Sequence, residues 1–148
     1  MAKAGGRAPS FHLRGLEGGE HSLDSLLEGG QLILAFFKIS CPTCQLAFPF
    51  LQRAAAKGVR IFGISQDDEA STELFRRRLG FTFPVLLDNS DGGYPSSNAY
   101  GLRNVPTLFI VSSRGVIEER IEGFHKAAYA AFGVPFDASD KVPLLQPG

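Results

Sequence analysis

Leu32-Ile33-Leu34-Ala35-Phe36-Phe37-Lys38-Ile39-Ser40-Cys41-Pro42-Thr43-Cys44 is the stretch around which the rest of the chain is arranged. Its first six residues are apolar without a break. Such a run reads as a strand covered on both faces, as in the middle of a parallel sheet. Its last four residues hold the only two cysteines in 148 residues. Beyond them Leu46, Ala47, Phe50, Leu51, Ala54 and Ala55 fall on one helical face. Pro42 suits the first helical position, where a missing N–H costs nothing. Pro49 lies inside the pattern and predicts a kink, and Gly58 predicts the stop. The two thiols therefore sit at the first turn of a helix that leaves a buried strand.

Working outward, Val59–Ser65 and Thr107–Val111 read as further buried strands, and Val85–Leu87 as a short one. Asp67 or Asp68 can cap a helix running to Leu79, with Ala70, Leu74, Phe75 and Leu79 as its apolar residues and Gly80 at its end. Arg76-Arg77-Arg78 reads as a solvated face. Residues 88–98 are rich in Gly, Ser, Asn and Pro and predict a loop, followed by a helical turn over Ala99–Leu102. Ser113-Arg114-Gly115 makes a turn into Val116–Ile121, whose alternation and charge suit an edge strand. A short helix is expected over Lys126–Phe132. Before the central stretch, Ala8–Leu13 and Glu20–Ser22 predict a hairpin around Gly18-Gly19, and Ser22 or Asp24 can cap a helix over Leu23, Leu26 and Leu27. The expectation is a single α/β domain over 1–148, with its core at about 8–132 and an irregular tail over 133–148 that carries Pro135, Pro143 and Pro147.

Composition narrows the function. Fifteen basic residues balance fifteen acidic ones, which removes the electrostatic footprint of a nucleic-acid binder. No apolar run is long enough to span a bilayer. Met1–Ser10 has no apolar signal core, so the chain as written reads as cytoplasmic; with a leader removed it would be periplasmic or exported. Two cysteines are too few for a disulfide-stapled scaffold, and a lone Cys-x-x-Cys near a βαβ pattern points to a redox-active pair. At a helix N-terminus the unpaired N–H groups and the helix dipole favour a thiolate at Cys41. Cys44, one turn further in, is within reach of it on the same face. Cys41 is thus the expected nucleophile and Cys44 the resolving thiol.

Cys41-Pro42-Thr43-Cys44, Pro49, Phe83-Pro84-Val85, Ala99-Tyr100-Gly101-Leu102 and Val105-Pro106-Thr107 together resemble the thioredoxin-like superfamily. The resemblance is to the branch shared by TlpA- and ResA-type thiol–disulfide oxidoreductases and peroxiredoxins, and it covers about Ala8 to Gly123. It implies a central mixed sheet flanked by helices, with an N-terminal β-hairpin extension. It also implies that Pro106 is cis and faces the dithiol, while Val105 offers backbone groups to a bound partner chain. On the same resemblance Pro42, Thr43, Val105 and Pro106 are substrate-binding positions. No cofactor and no metal are expected. The implied partners are a disulfide- or dithiol-containing protein substrate and a recycling reductant or oxidant.

Three positions depart from the family's pattern. Ser40 replaces the usual Trp before the first cysteine, Ala35 the buried acid of thioredoxins, and Ala47 the glutamate of the ResA type. The two familiar proton acceptors for Cys44 are therefore missing. Lys38 offers a charge that would favour the Cys41 thiolate, against the plainer reading of a stem-packed surface lysine.

Two other functions stay open at this level. A peroxiredoxin-like hydroperoxide reductase would need Thr or Ser three residues before its cysteine and Pro seven before. Those positions hold Lys38 and Leu34, or Cys41 and Phe37 counted from Cys44. A dithiol metal carrier of the copper-delivery type would need Cys-x-x-x-Cys and a later His. The spacing here is one shorter, with His125 as the available third ligand; His12 and His21 are isolated.

Overall fold

The computed structural model describes residues 2–88 and 92–148. The part of the expected 88–98 loop at 89–91 lies outside the described residues. The elements in chain order are β1 (His12–Gly15), β2 (Glu20–Ser22), α1 (Leu23–Leu27), β3 (Leu32–Phe37), α2 (Pro42–Ala56), β4 (Ile61–Ser65) and α3 (Glu69–Leu79). They continue as β5 (Val85–Leu87), α4 (Pro95–Ala99), β6 (Thr107–Val111), β7 (Ile117–Glu122), β8 (Phe124–His125), α5 (Lys126–Phe132) and β9 (Leu145–Gln146).

A seven-stranded sheet runs in the order β2-β1-β5-β4-β3-β6-β7. β3 pairs parallel with β4 and β4 with β5, while β6 lies antiparallel on the other side of β3. The hairpin β1–β2 extends the β5 edge. This is the mixed sheet with an N-terminal hairpin that the family resemblance implies. β3 is central, and each of its six residues is buried. Its pleat divides them: Ile33, Ala35 and Phe37 join the core under α2, and Leu32, Leu34 and Phe36 join the core under α1 and Tyr100. That two-sided burial is why the strand carries no polar residue. The far edge, β7, is met at its start by the N-terminal segment, where Gly5 N–H donates to Ile117 O at 2.8 Å and Ala8 N–H to Gly115 O at 2.8 Å. Ala8 therefore borders the β6–β7 turn, and the first strand begins later than expected, at His12.

Local sequence sets the helix ends. Ser22 caps α1 by accepting from Ser25 N–H at 3.2 Å, and Asp68 caps α3 by accepting from Ser71 N–H at 2.7 Å. α2 runs unbroken through Pro49. In α3 the buried residues are Thr72 and Phe75, whereas Ala70 and Leu74 face solvent. Thr72 holds the inner position through its hydroxyl, 2.7 Å from the buried Ser65 Oγ. The region after β5 differs most from expectation. α4 begins at Pro95 rather than at Ala99. Buried Asp88 organises it, accepting from Ser96 N–H at 2.9 Å, Ser97 N–H at 2.7 Å and Ser97 Oγ at 2.6 Å. A side chain seven residues upstream thus satisfies the helix's free N–H groups.

Candidate active site

Three segments converge at the C-terminal end of β3: the loop Lys38–Ser40, the first turn of α2, and the loop before β6. Cys41 is the N-cap of α2. It has extended backbone geometry, and its sulfur accepts from Cys44 N–H at 3.2 Å. Both cysteines are free thiols, so the structure holds the dithiol form. Cys41 is half-buried and Cys44 fully buried.

The surroundings push the two thiols in opposite directions. The Cys44 thiol and backbone N–H groups hydrogen-bond to Cys41 and outweigh its partial burial, lowering it well below the ordinary thiol range, to about 6. Cys44 is raised. Burial is the main cause, followed by its hydrogen bond to Cys41 and then the negative charges of Cys41 and Asp67. Ala35 and Ala47, both fully buried, belong to the same apolar core as Cys44. The two positions that lack the expected carboxylates thus form part of the apolar pocket that keeps Cys44 protonated.

The Val105–Pro106 bond is cis, and Val105 O lies 3.2 Å from Cys41 Sγ, accepting its proton in the thiol form. The sequence-predicted residues Cys41, Cys44, Val105 and Pro106 are therefore brought together. Pro42 stands exposed at the first helical position, and Thr43 is buried beside it. Lys38 is exposed, and its charge is the smallest of the named influences on Cys41. Its backbone N–H is among the influences that work against the rise at Cys44. The histidines stand apart from the dithiol: His12 and His21 lie on the N-terminal hairpin, and His125 caps α5, its Nδ1 accepting from Ala128 N–H at 3.3 Å. Among the described residues no three His, Cys, Asp or Glu side chains come together as a metal site.

Sequence reasoning missed two contributors. Asp67 read as a helix cap, yet its carboxylate accepts from Ile39 N–H at 2.8 Å, tying the end of β4 to the loop before the dithiol. The C-terminal segment read as an irregular tail, yet Thr43 Oγ donates to Pro147 O at 2.7 Å. An Asp following a buried strand was the available signal for the first. The second had no local signal.

The family model of the AhpC/TSA family matches residues 4–120, a span that takes in β1 to β6 together with Cys41, Cys44, Val105 and Pro106. The chain belongs to the AhpC/TSA family. It is 32% identical over 124 residues to a thiol-disulfide oxidoreductase ResA of Geobacillus thermodenitrificans, covering 80% of this chain and 69% of that protein. It is 30% identical over 125 residues to a thiol:disulfide interchange protein DsbE of Yersinia pestis, covering 82% of this chain and 65% of that one. In fold it matches the thioredoxin domain of a thiol-disulfide oxidoreductase from Bacteroides vulgatus, with a TM-score of 0.75, 22% identity, and coverage of 88% and 95% of the two chains. This member of the family is a thiol–disulfide oxidoreductase with a thioredoxin-like fold. Among the described residues no helix is long and apolar enough to cross a membrane.

Proposed function

We propose that Cys41 and Cys44 exchange a disulfide with a polypeptide substrate, with Cys41 as nucleophile and Cys44 as resolving thiol. The observation that carries this reading is the split between the two thiols: one half-exposed and lowered to about 6, the other buried and raised. At neutral pH about nine-tenths of a thiol with that value is thiolate, against a few per cent of an ordinary cysteine. The Cys41 thiolate attacks one sulfur of the substrate disulfide, and the other sulfur leaves as a thiolate. Cys44 then loses its proton and attacks Cys41 Sγ. The internal disulfide forms and the substrate's remaining sulfur is released. Two electrons pass to the substrate, and the same steps in reverse oxidise a dithiol. A second thiol–disulfide couple returns the protein to its starting state.

Val105 and Pro106 form the wall opposite Cys41, where a partner's backbone can pair with the Val105 peptide. Pro42 and Thr43 flank the nucleophile on the helix side. Lys38 contributes weakly, through its charge on Cys41. A peroxide-reducing role has no specific observation in its favour, and a metal-carrying role would need His125, which caps a helix instead.

Alkylation by iodoacetamide tests the assignment. In the reduced protein the rate at Cys41 should rise with pH about a midpoint near 6, and Cys44 should stay unlabelled through pH 9. Equal labelling of both sulfurs, with midpoints near ~8.5, would reject it. The sign for stability follows from the same shift. Because Cys41 is depressed in the folded state, its thiolate adds stability above the unfolded thiol's pKa, and that stability is lost as pH falls through about 6.

A further inference from the structure

The last residues of the chain lie where a partner's backbone would meet the dithiol. β9 pairs antiparallel with β8, matching Phe124 with Gln146 and His125 with Leu145, and Lys126 N–H donates to Leu144 O at 3.0 Å. Beyond that strand, Thr43 Oγ donates to Pro147 O at 2.7 Å and accepts from Gln146 Nε2 at 2.9 Å. Gly148 lies against Val105 so closely that a Cβ on it would overlap the Val105 carbonyl. Gly123, at φ +78°, makes room for the approach, since a Cβ there would stand 2.6 Å from Gln146 O. The segment therefore reaches from the first turn of α2 to the cis-proline loop, the two walls on either side of Cys41.

Its two ends are held very differently. Upstream, Arg53 grips Asp140 through its two terminal guanidinium nitrogens, Nη1 and Nη2, at 2.7 and 2.9 Å, and holds that carboxyl down at about 2. Phe136 packs on Phe50 with ring centroids 5.0 Å apart. From residue 144 onward the hold is backbone pairing and one threonine hydroxyl. Leu144 and Leu145 are 79% and 59% exposed, so little apolar surface fastens them. The tail is a strap fixed at its root and light at its tip.

We propose that residues 144–148 are the resident occupant of the substrate groove, standing in for the extended backbone of a polypeptide partner and lifting away when one binds. This rests on the reading that Cys41 and Val105 receive the substrate. The partner that displaces the strap is an extended peptide segment next to a disulfide, because it carries free backbone groups able to replace the strap's pairing. A small disulfide needs no such pairing and reaches half-exposed Cys41 with the strap in place.

Two variants test this: a chain ending at Pro143, and the full chain with Gln146→Pro, which removes the side chain bonded to Thr43 and a backbone N–H within β9. Each reduced protein is mixed with two activated disulfides that share a thionitrobenzoate leaving group, one on free cysteine and one on a cysteine inside an unstructured ten-residue peptide. Cys41 attacks the cysteine sulfur, thionitrobenzoate leaves, and Cys44 then releases the cysteine or peptide thiol. The expected result is a rate with the peptide that rises at least fivefold in both variants. The rate with free cysteine should stay within about twofold. An unchanged ratio of the two rates in both variants would overturn the strap. Failure of the underlying dithiol reading looks different: the mixed disulfide persists in every chain because Cys44 never resolves it.

Discussion

Cys41→Ser is expected to reduce disulfide exchange with a protein substrate to the background of the assay's own thiols. The serine hydroxyl is not ionised near neutral pH and cannot act as the thiolate does, and no other half-exposed thiol exists to replace it. Cys44 cannot stand in, because it is fully buried and raised by its apolar surroundings. The companion Cys44→Ser should behave differently. Cys41 keeps the backbone N–H donated by residue 44 at 3.2 Å, so the first attack proceeds, but nothing displaces the product. The protein then accumulates as a mixed disulfide through Cys41, visible as an added mass that a reductant removes. The fold should survive both changes, since the structure is complete with the two thiols unbridged. If Cys41→Ser kept even a tenth of the exchange rate, the nucleophile would have to be sought elsewhere.

The largest effect on stability is expected from Phe48→Ala. Phe48 is fully buried on α2, one turn beyond Cys44. Its ring lies 4.5 Å from that of Phe37, 5.2 Å from Phe81, 5.7 Å from Phe83 and 5.9 Å from Phe75. The cluster joins the helix that carries the dithiol to β3, α3 and the segment entering β5. Truncating such a ring removes its transfer free energy and leaves a cavity that rigid neighbours refill poorly, at a cost of about 3–5 kcal/mol. A domain of this size has a total stability of roughly 5–15 kcal/mol. Urea unfolding should therefore show a midpoint well below that of the parent at an unchanged m-value. A loss below about 1 kcal/mol would mean that the aromatic cluster closes over the gap or is not the core described here.

Much of the fold is legible in the sequence because its main signals are local and strong. Leu32–Phe37 can be read as a two-sided buried strand from its composition alone, and Cys41 as a helix cap from Pro42 and the apolar spacing behind it. Ser22 or Asp24, and Asp67 or Asp68, announce their helices in the same way, and the structure uses Ser22 and Asp68. The differences from expectation have physical causes. α4 starts at Pro95 because Asp88, distant in sequence, satisfies its N–H groups. The composition of 88–98 signals only a loop, although Pro at a first helical position was a usable hint. Leu74 is exposed because Thr72 takes the inner face through its bond to Ser65, a pairing across elements that apolar spacing does not register.

The site divides along the same line. Cys41 and Cys44 follow from motif and spacing, and the cis Pro106 from the resemblance to the thioredoxin-like superfamily. The setting of Cys44 does not: Ala35 and Ala47 announce that carboxylates are missing, but only the packed structure shows Asp67 tying down the dithiol loop and reaching Cys44 with its charge. Least legible is the tail. A two-residue strand between Pro143 and Pro147 has no periodicity to read, and it exists through its pairing with β8.

Equilibration in glutathione buffers of graded ratio, followed by acid trapping and mass analysis, tests the central claim most directly. The account predicts one two-electron transition in which the protein loses the mass of two hydrogens, with Cys41 and Cys44 joined and no lasting glutathione adduct. A protein that carries glutathione on Cys41 across the whole range, and never forms the Cys41–Cys44 bond, would contradict it.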